Sequence, residues 1–486
     1  MPMLISLVLL TLMTHSVSAA EETSPLELEF CHVPNFSEEV LCGEYTVEEN
    51  RKSPNGRQLS IKVAVMPAYT EDKESDPLVL FAGGPGQGAR AMVSYVQRAF
   101  REVRETRDIV LIDQRGMGDS NPLNCEMPDV DMMSMSQDEI KLISEKVVRE
   151  CPSQLDADVT LYTQDLANED IQAIVSALGY ESINIYGVSW GTRSALLYAN
   201  QFPEQVRTVI VDGTAPLSNK VPLYFSRDAQ QTLNFLFKDC AEDEKCNTAF
   251  PELEARFNDY ISNFPDDGIA TTVADPNTGK IHDITVELES IVGVIRTIIY
   301  SPDMSRMLPV ILEQIFNNDF RGLSGVISAV GDAGMTMGAT LTILCSEEYP
   351  RFSEAQQLTL SVDSFEAGGF ARMMRDSCAL WPKAPLPELY TQELVQDHPT
   401  LILSGMLDPV TPPFWGEAMK QHFPNSSHLV APNTGHNVAP VGCSKDIIAD
   451  FINAASYEEL DVSCLDDIKR PSFFLNTSGP VRSTEE

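Results

Sequence analysis

Positive charge is what this sequence has least of: 34 lysines and arginines stand against 71 aspartates and glutamates, a formal net charge of -37. Nucleic acid is therefore not expected as a partner, since phosphate recognition needs clustered Lys and Arg. The acidity reads as a solvated, self-repelling surface. Long apolar runs are also missing. Leu4 to Met13 is too short to span a bilayer and nothing after it is longer and apolar enough, so no membrane anchor is expected. There is no C-x-x-C and no H-E-x-x-H, which argues against a metal site. Low-complexity tracts and internal repeats are absent. Histidine is scarce, with seven residues in the chain, so a catalytic base has few candidates.

What is present describes an ordinary globular protein, 43% hydrophobic and 22% charged. At 486 residues it is long for one compact unit, and a core carrying a large insertion is expected. The apolar run Leu4–Met13 leads into Val17-Ser18-Ala19-Ala20 and then Glu21-Glu22, which reads residues 1–20 as an export signal, although Met1-Pro2-Met3 carries no basic side chain. No cysteine directly follows the cleavage point after Ala19 or Ala20, so a lipid anchor is not expected. The ten cysteines (31, 42, 125, 151, 240, 246, 345, 378, 443 and 464) fit an exported protein, periplasmic or secreted. Their closeness in pairs suggests five local bridges, but spacing alone does not choose the connectivity.

Glu44 to Ala68 reads as two strands joined at Ser53-Pro54-Asn55-Gly56. Then come short, nearly continuous apolar runs: Leu78–Phe81, Ile109–Ile112, Ile183–Tyr186, Val209–Val211, Leu401–Leu403 and His428–Ala431. Runs of this kind are buried parallel strands covered by helices on both faces. Helices are predicted at Gln164–Leu178, with Thr163 as N-cap and Gly179 as the stop, and at Trp190–Asn200. The alternation breaks between about Pro216 and Pro385, where helical patterns at Gln231–Phe237, Val286–Ile299 and Met307–Phe316 predict an inserted cap. The expected organisation is a first core part over 21–215, a mainly helical cap over 216–385 and a C-terminal core part over 386–486.

The chemistry centres on Gly187-Val188-Ser189-Trp190-Gly191, a G-x-S-x-G pattern between a predicted strand and a predicted helix. A serine hydroxyl is a weak nucleophile and needs a sharp turn to present it and a base beside it. His436 follows the last predicted strand and is the expected base. The acid that fixes its tautomer is expected to be Asp408, in Gly405-Met406-Leu407-Asp408-Pro409, because one helix and one strand separate it from His436. Asp212 is the rival for that role, with a turn or sheet-edge position as its plain reading. Charge developing on the attacked oxygen needs donors already in place. The backbone N–H of Trp190 is one candidate, and that of Gly84, in Ala82-Gly83-Gly84-Pro85-Gly86, is the other. The same loop, Gly84-x-Gly86-x-x-Ala89 with Asp113 after the next strand, also fits a dinucleotide fingerprint. Pro85 in the turn, the export signal and the ordered Ser, Asp, His series speak against it, and no cofactor is expected. Arg115 is expected to brace loops around the site rather than to clamp substrate.

Several segments resemble the peptidases of the proline iminopeptidase and tripeptidyl aminopeptidase group within the α/β-hydrolases. They are Ala82–Gly86, Asp113–Ser120 with Pro122–Cys125, Ile185–Arg193, Val211–Pro216 and Gly405–Pro412. The resemblance implies an α/β-hydrolase fold, a mostly parallel sheet with helices on both faces and an inserted mainly helical cap. It implies hydrolysis of small peptide substrates from the N-terminus through an acyl-enzyme on Ser189. It also implies cap carboxylates that bind the substrate amine, and Cys345-Ser346-Glu347-Glu348 looks similar to that acidic motif, which makes Glu347, with Glu348, the candidate for it. Two other functions are weighed: a carboxylesterase or lipase using the same residues, and an inactive hydrolase fold serving as a binding module.

Overall fold

The computed structural model describes residues 26–480 apart from 129, 131–134, 276–277, 331–333, 393 and 395. The expected signal, residues 1–20, lies outside the described residues. The apolar runs fold into strands: β1 (Glu29–Cys31), β2 (Val40–Glu48), β3 (Gln58–Met66), β4 (Leu78–Phe81), β5 (Ile109–Ile112), β6 (Ile183–Val188), β7 (Val206–Asp212), β8 (Ile269–Ala274), β9 (Ile281–Val286), β10 (Thr400–Gly405) and β11 (Ser426–Ala431). Nine of them form one sheet in the order β1-β2-β3-β5-β4-β6-β7-β10-β11. The β2–β3 hairpin pairs Glu48 with Gln58 around the Asn55-Gly56 turn, and β3 runs antiparallel to β5. From β5 to β11 every neighbouring pair is parallel.

Alternation along the strands divides the apolar side chains between two layers. Val79, Phe81, Val110 and Ile112 pack with Ile171, Ile174 and Leu196, from the helices Gln164–Ala177 and Trp190–Gln201. Leu78, Leu80, Ile109 and Leu111 face the other way, onto Val93 and Val96 of the helix Val93–Ala99 and onto Ile448 and Phe451 of the helix Ser444–Ala454. Both faces are thus covered, which is why these strands read as unbroken apolar runs.

Between β7 and β10 the chain leaves the sheet. Helices Phe225–Glu242, Leu288–Ile298 and Leu308–Phe316 gather a third apolar cluster around Leu233, Phe237, Phe257, Ile295 and Leu312. The helical pattern read from Val286 is shortened: Val286 closes β9, which pairs antiparallel with β8, and the helix begins at Leu288. The later part of the insertion behaves differently. Ala339, Ile343, Tyr349, Met374 and Trp381 join the cluster that lines the sheet. Disulfides link Cys31–Cys42, Cys125–Cys151, Cys240–Cys246, Cys345–Cys378 and Cys443–Cys464, each cysteine with the next in sequence. Among the described residues no helix is long and apolar enough to cross a membrane.

Candidate active site

Ser189 sits between β6 and the helix Trp190–Gln201, with φ 56° and ψ -125°. A non-glycine residue in that region is strained and persists only where its surroundings over-determine it. The two motif glycines make the turn possible. A Cβ on Gly191 would collide with the carbonyl oxygens of Phe81 and Ala82, and one on Gly187 with the backbone of Gly191 and Thr192. Helix and strand approach so closely here that only hydrogen fits. The Ser189 N–H donates to the carbonyl of Asp212 at 2.8 Å, tying the elbow to the end of β7.

Asp408 and His436 meet at the ends of adjacent strands β10 and β11, with His436 Nδ1 2.8 Å from Asp408 Oδ2. The carboxylate is completely buried and accepts from the N–H groups of Val410 (2.9 Å) and Thr411 (2.8 Å) and from the Thr411 hydroxyl (2.7 Å). Burial opposes its ionisation, but the neighbouring imidazole and the Thr411 hydrogen bonds outweigh this and hold its pKa below the usual value. For His436 burial likewise disfavours charge, yet Asp408, and to a smaller extent Asp212, raise its pKa above the ordinary 6.5. Its ring bonds run through Nδ1, to Asp408 and at 3.3 Å to Thr411. Among the described residues no hydrogen bond reaches Nε2, the nitrogen left to take a proton; such bonds are often long before substrate binds. The ring packs over Gly213, where a Cβ would stand 3.0 Å from Cε1. Gly213 follows the residue that holds the Ser189 N–H, so histidine and serine both lie at the C-terminal end of β7.

The glycine loop after β4 lies beside the serine. A Cβ on Gly83 would stand 3.2 Å from Ser189 Cβ and 3.7 Å from its Oγ, whereas the Cα of Gly84 faces Met335. The insertion holds this loop in place: Thr336 N–H donates to Gly86 O (2.9 Å) and the Thr340 hydroxyl to Pro85 O (2.7 Å). Trp190 opens its helix, where the first N–H groups lack intrahelical acceptors. Asp113 does not present a free carboxylate to a ribose: its oxygens accept from the N–H groups of Arg90 (2.9 Å) and Asp119 (3.1 Å). Among the described residues no group of three or more His, Cys, Asp or Glu could hold a metal ion. Arg115 braces as expected, bidentate on Asp170 (2.6 and 2.8 Å) and bonded to Leu161 O (2.8 Å).

The expected amine-binding pair lies in buried surroundings. Glu347 is completely buried and both oxygens are engaged, one by the Gln164 N–H (2.7 Å) at the start of a core helix and one by the Tyr390 hydroxyl (2.5 Å). Burial pushes its pKa up to about 8, against those two hydrogen bonds. Glu348, equally buried, pairs with Arg193 and with Arg351 (2.8 Å) and accepts the Val221 N–H (2.7 Å). Arg193 in turn lies 4.6 Å over the Trp190 ring and bonds the carbonyls of Pro216 and Asn219. Both glutamates therefore fasten the insertion to the core, each of their oxygens already accepting a hydrogen bond. Sequence reasoning missed two residues. Thr411 is spaced from Asp408 as an Asp-x-x-Thr turn, a signal that was readable. Tyr300, from the insertion, accepts the His436 N–H at 2.9 Å and sets its ring edge-on at 5.5 Å from the imidazole; no local pattern announces it.

Known proteins resemble this chain in sequence. Residues 76–272 match the family described as alpha/beta hydrolase fold, and residues 364–464 match the family described as TAP-like protein. The chain is 25% identical over 429 residues to a serine protease, Hip1, of Mycobacterium tuberculosis, covering 80% of this chain and 81% of that one. It is 23% identical to a putative hydrolase, YuaR, of Escherichia coli, covering 84% of each. A tripeptidyl aminopeptidase of Streptomyces lividans is 26% identical over 230 residues, 44% of this chain and 43% of that one. The chain is a hydrolase with α/β-hydrolase and TAP-like regions, and it is similar to the peptidases that include the proline iminopeptidases and tripeptidyl aminopeptidases.

Proposed function

We propose that this protein is an exported serine aminopeptidase that removes N-terminal residues or short peptides from small peptide substrates. Ser189 Oγ attacks the scissile carbonyl carbon while His436 Nε2 takes its proton. The oxyanion is held by the N–H groups of Trp190 and Gly84. His436 returns the proton to the leaving amine as the C–N bond breaks, leaving an acyl-enzyme. Water, deprotonated by His436, then releases the new carboxylate and restores Ser189. Asp408 orients the imidazole and stabilises its charged form. The observation that carries this reading is the Asp408–His436 hydrogen bond at the foot of the strained Ser189 elbow. Export is part of the proposal and is supported by the five disulfides, which persist in oxidising compartments.

A carboxylesterase using the same residues is the second reading, and one observation favours keeping it: Glu347 and Glu348 are buried and already hydrogen-bonded, so a substrate amine would have to share acceptors that fasten the insertion to the core. Alanyl, prolyl and tripeptidyl anilides, their N-blocked counterparts and a short-chain nitrophenyl ester separate the two. The peptidase reading expects the unblocked anilides to turn over and the blocked ones to fail. Turnover of the ester alone would overturn it.

A further inference from the structure

Asp212 closes β7, in register with Val188 on one side and Leu403 on the other. It touches both halves of the candidate site without bonding the imidazole ring. Its carbonyl accepts the Ser189 N–H at 2.8 Å. Its side chain, fully buried, accepts the Val438 N–H at both oxygens (2.8 and 2.9 Å) and the Ala439 N–H at Oδ2 (2.8 Å). Those are the second and third residues after His436. Asn437, between His436 and Val438, has φ 83°, a left-handed conformation, so the loop bends sharply just past the imidazole. One residue thus holds two strained points, the elbow at Ser189 and the turn at Asn437. The carboxylate is held from behind as well. Tyr186, on β6, donates its hydroxyl to Asp212 Oδ2 (2.8 Å), and with that proton committed the 2.6 Å contact between the Tyr95 and Tyr186 hydroxyls has Tyr95 as donor.

We propose that Asp212 is a positioning residue that sets the spacing of Ser189 and His436, its main chain gripping the elbow and its side chain gripping the histidine loop. A buried acceptor with only N–H and O–H donors around it cannot be replaced by an amide without turning an N–H toward another N–H. The loop would then move, and a displacement of about 1 Å at a reacting pair costs on the order of 100-fold in rate. The carboxylate also lies within electrostatic reach of His436 and favours its charged form; the other titratable groups facing Asp212 are Tyr186 and Tyr95.

The inference rests on the reading of Ser189 and His436 as the reacting pair, and the test keeps the two apart. Asp212→Asn, Asp408→Asn, Tyr186→Phe and Ser189→Ala are made in the full chain and followed by anilide kinetics, fluorophosphonate labelling and thermal melting. Asp212→Asn is expected to lose about 100-fold in kcat with KM held within about threefold, and labelling should slow in parallel. The acid limb of its kcat/KM profile should move to lower pH, because a negative charge near the imidazolium is gone. Tyr186→Phe, which spares the two N–H anchors, should lose roughly three- to tenfold in kcat. A folded Asp212→Asn with kcat and labelling within about threefold of the parent overturns the inference. If Asp212→Asn does not fold, Tyr186→Phe decides: unchanged kcat and labelling overturn it. Loss in Asp212→Asn with near-normal Asp408→Asn also overturns it, since Asp212 would then be the acid itself. Activity surviving in Ser189→Ala sinks the underlying reading instead.

Discussion

Replacing Glu347 by glutamine removes a single titration from a site that burial has moved far from its ordinary range. In the folded chain the carboxyl titrates at about 8, against 4.5 when solvated. A raised carboxyl stabilises the fold fully below the unfolded value, and that contribution is lost as pH rises toward the folded one. Between those limits the unfolded chain is ionised and the folded one is not, so stability falls by about 1.4 kcal/mol per pH unit on account of this group. Over the whole interval from 4.5 to about 8 the loss is on the order of 5 kcal/mol, a large part of what holds a domain together. Glutamine keeps an oxygen for the Gln164 N–H and offers an N–H to the Tyr390 oxygen, so the neutral hydrogen bonds survive. Guanidinium unfolding, with disulfides intact, should find parent and Glu347→Gln alike near pH 5 and the variant more stable by several kcal/mol above pH 8. Other carboxyls titrate in both proteins and cancel in the difference. A difference that stays flat from pH 5 to 9, or a variant weaker at pH 8, would refute the burial argument. A selective rise in KM for free-amine substrates with unchanged stability would instead return Glu347 to amine binding.

Other consequences are equally direct. Ser189→Ala and His436→Ala should each lower kcat by roughly 10⁵- to 10⁶-fold and Asp408→Asn by about 10⁴-fold, with melting temperatures near the parent's; near-normal turnover in any of them removes that residue from the mechanism. The acid limb of kcat/KM should lie above pH 6.5, because Asp408 and Asp212 outweigh burial and favour the charged imidazole, and it should fall in Asp408→Asn. Gly191→Ala should fail to give a folded, labelled protein, since its Cβ would occupy the space of the Phe81 carbonyl; an active Gly191→Ala would contradict the close approach of helix and strand.

The local sequence determined a good deal. Leu78–Phe81 and Ile109–Ile112 have the bounds read from their apolar runs, because a strand buried on both faces tolerates no polar position and ends where polarity begins. The elbow at Ser189 was legible for a similar reason, since it depends on glycines two positions either side and on a strand and helix that announce themselves. Asp408 and Asp212 were harder to tell apart, both being aspartates at strand ends. What separates them is that β10 lies beside β11, which brings Asp408 to the Nδ1 of His436, while Asp212 faces the backbone two residues on. Glu347 and Glu348 could not be read at all from their neighbours. Their partners Gln164 and Arg193 stand 183 and 155 residues away, and only packing of the insertion onto the core takes both carboxylates out of water. Motifs bound to one turn are written in the chain because their physics is local; the state of a carboxyl is set by what covers it, and that is a property of the folded molecule.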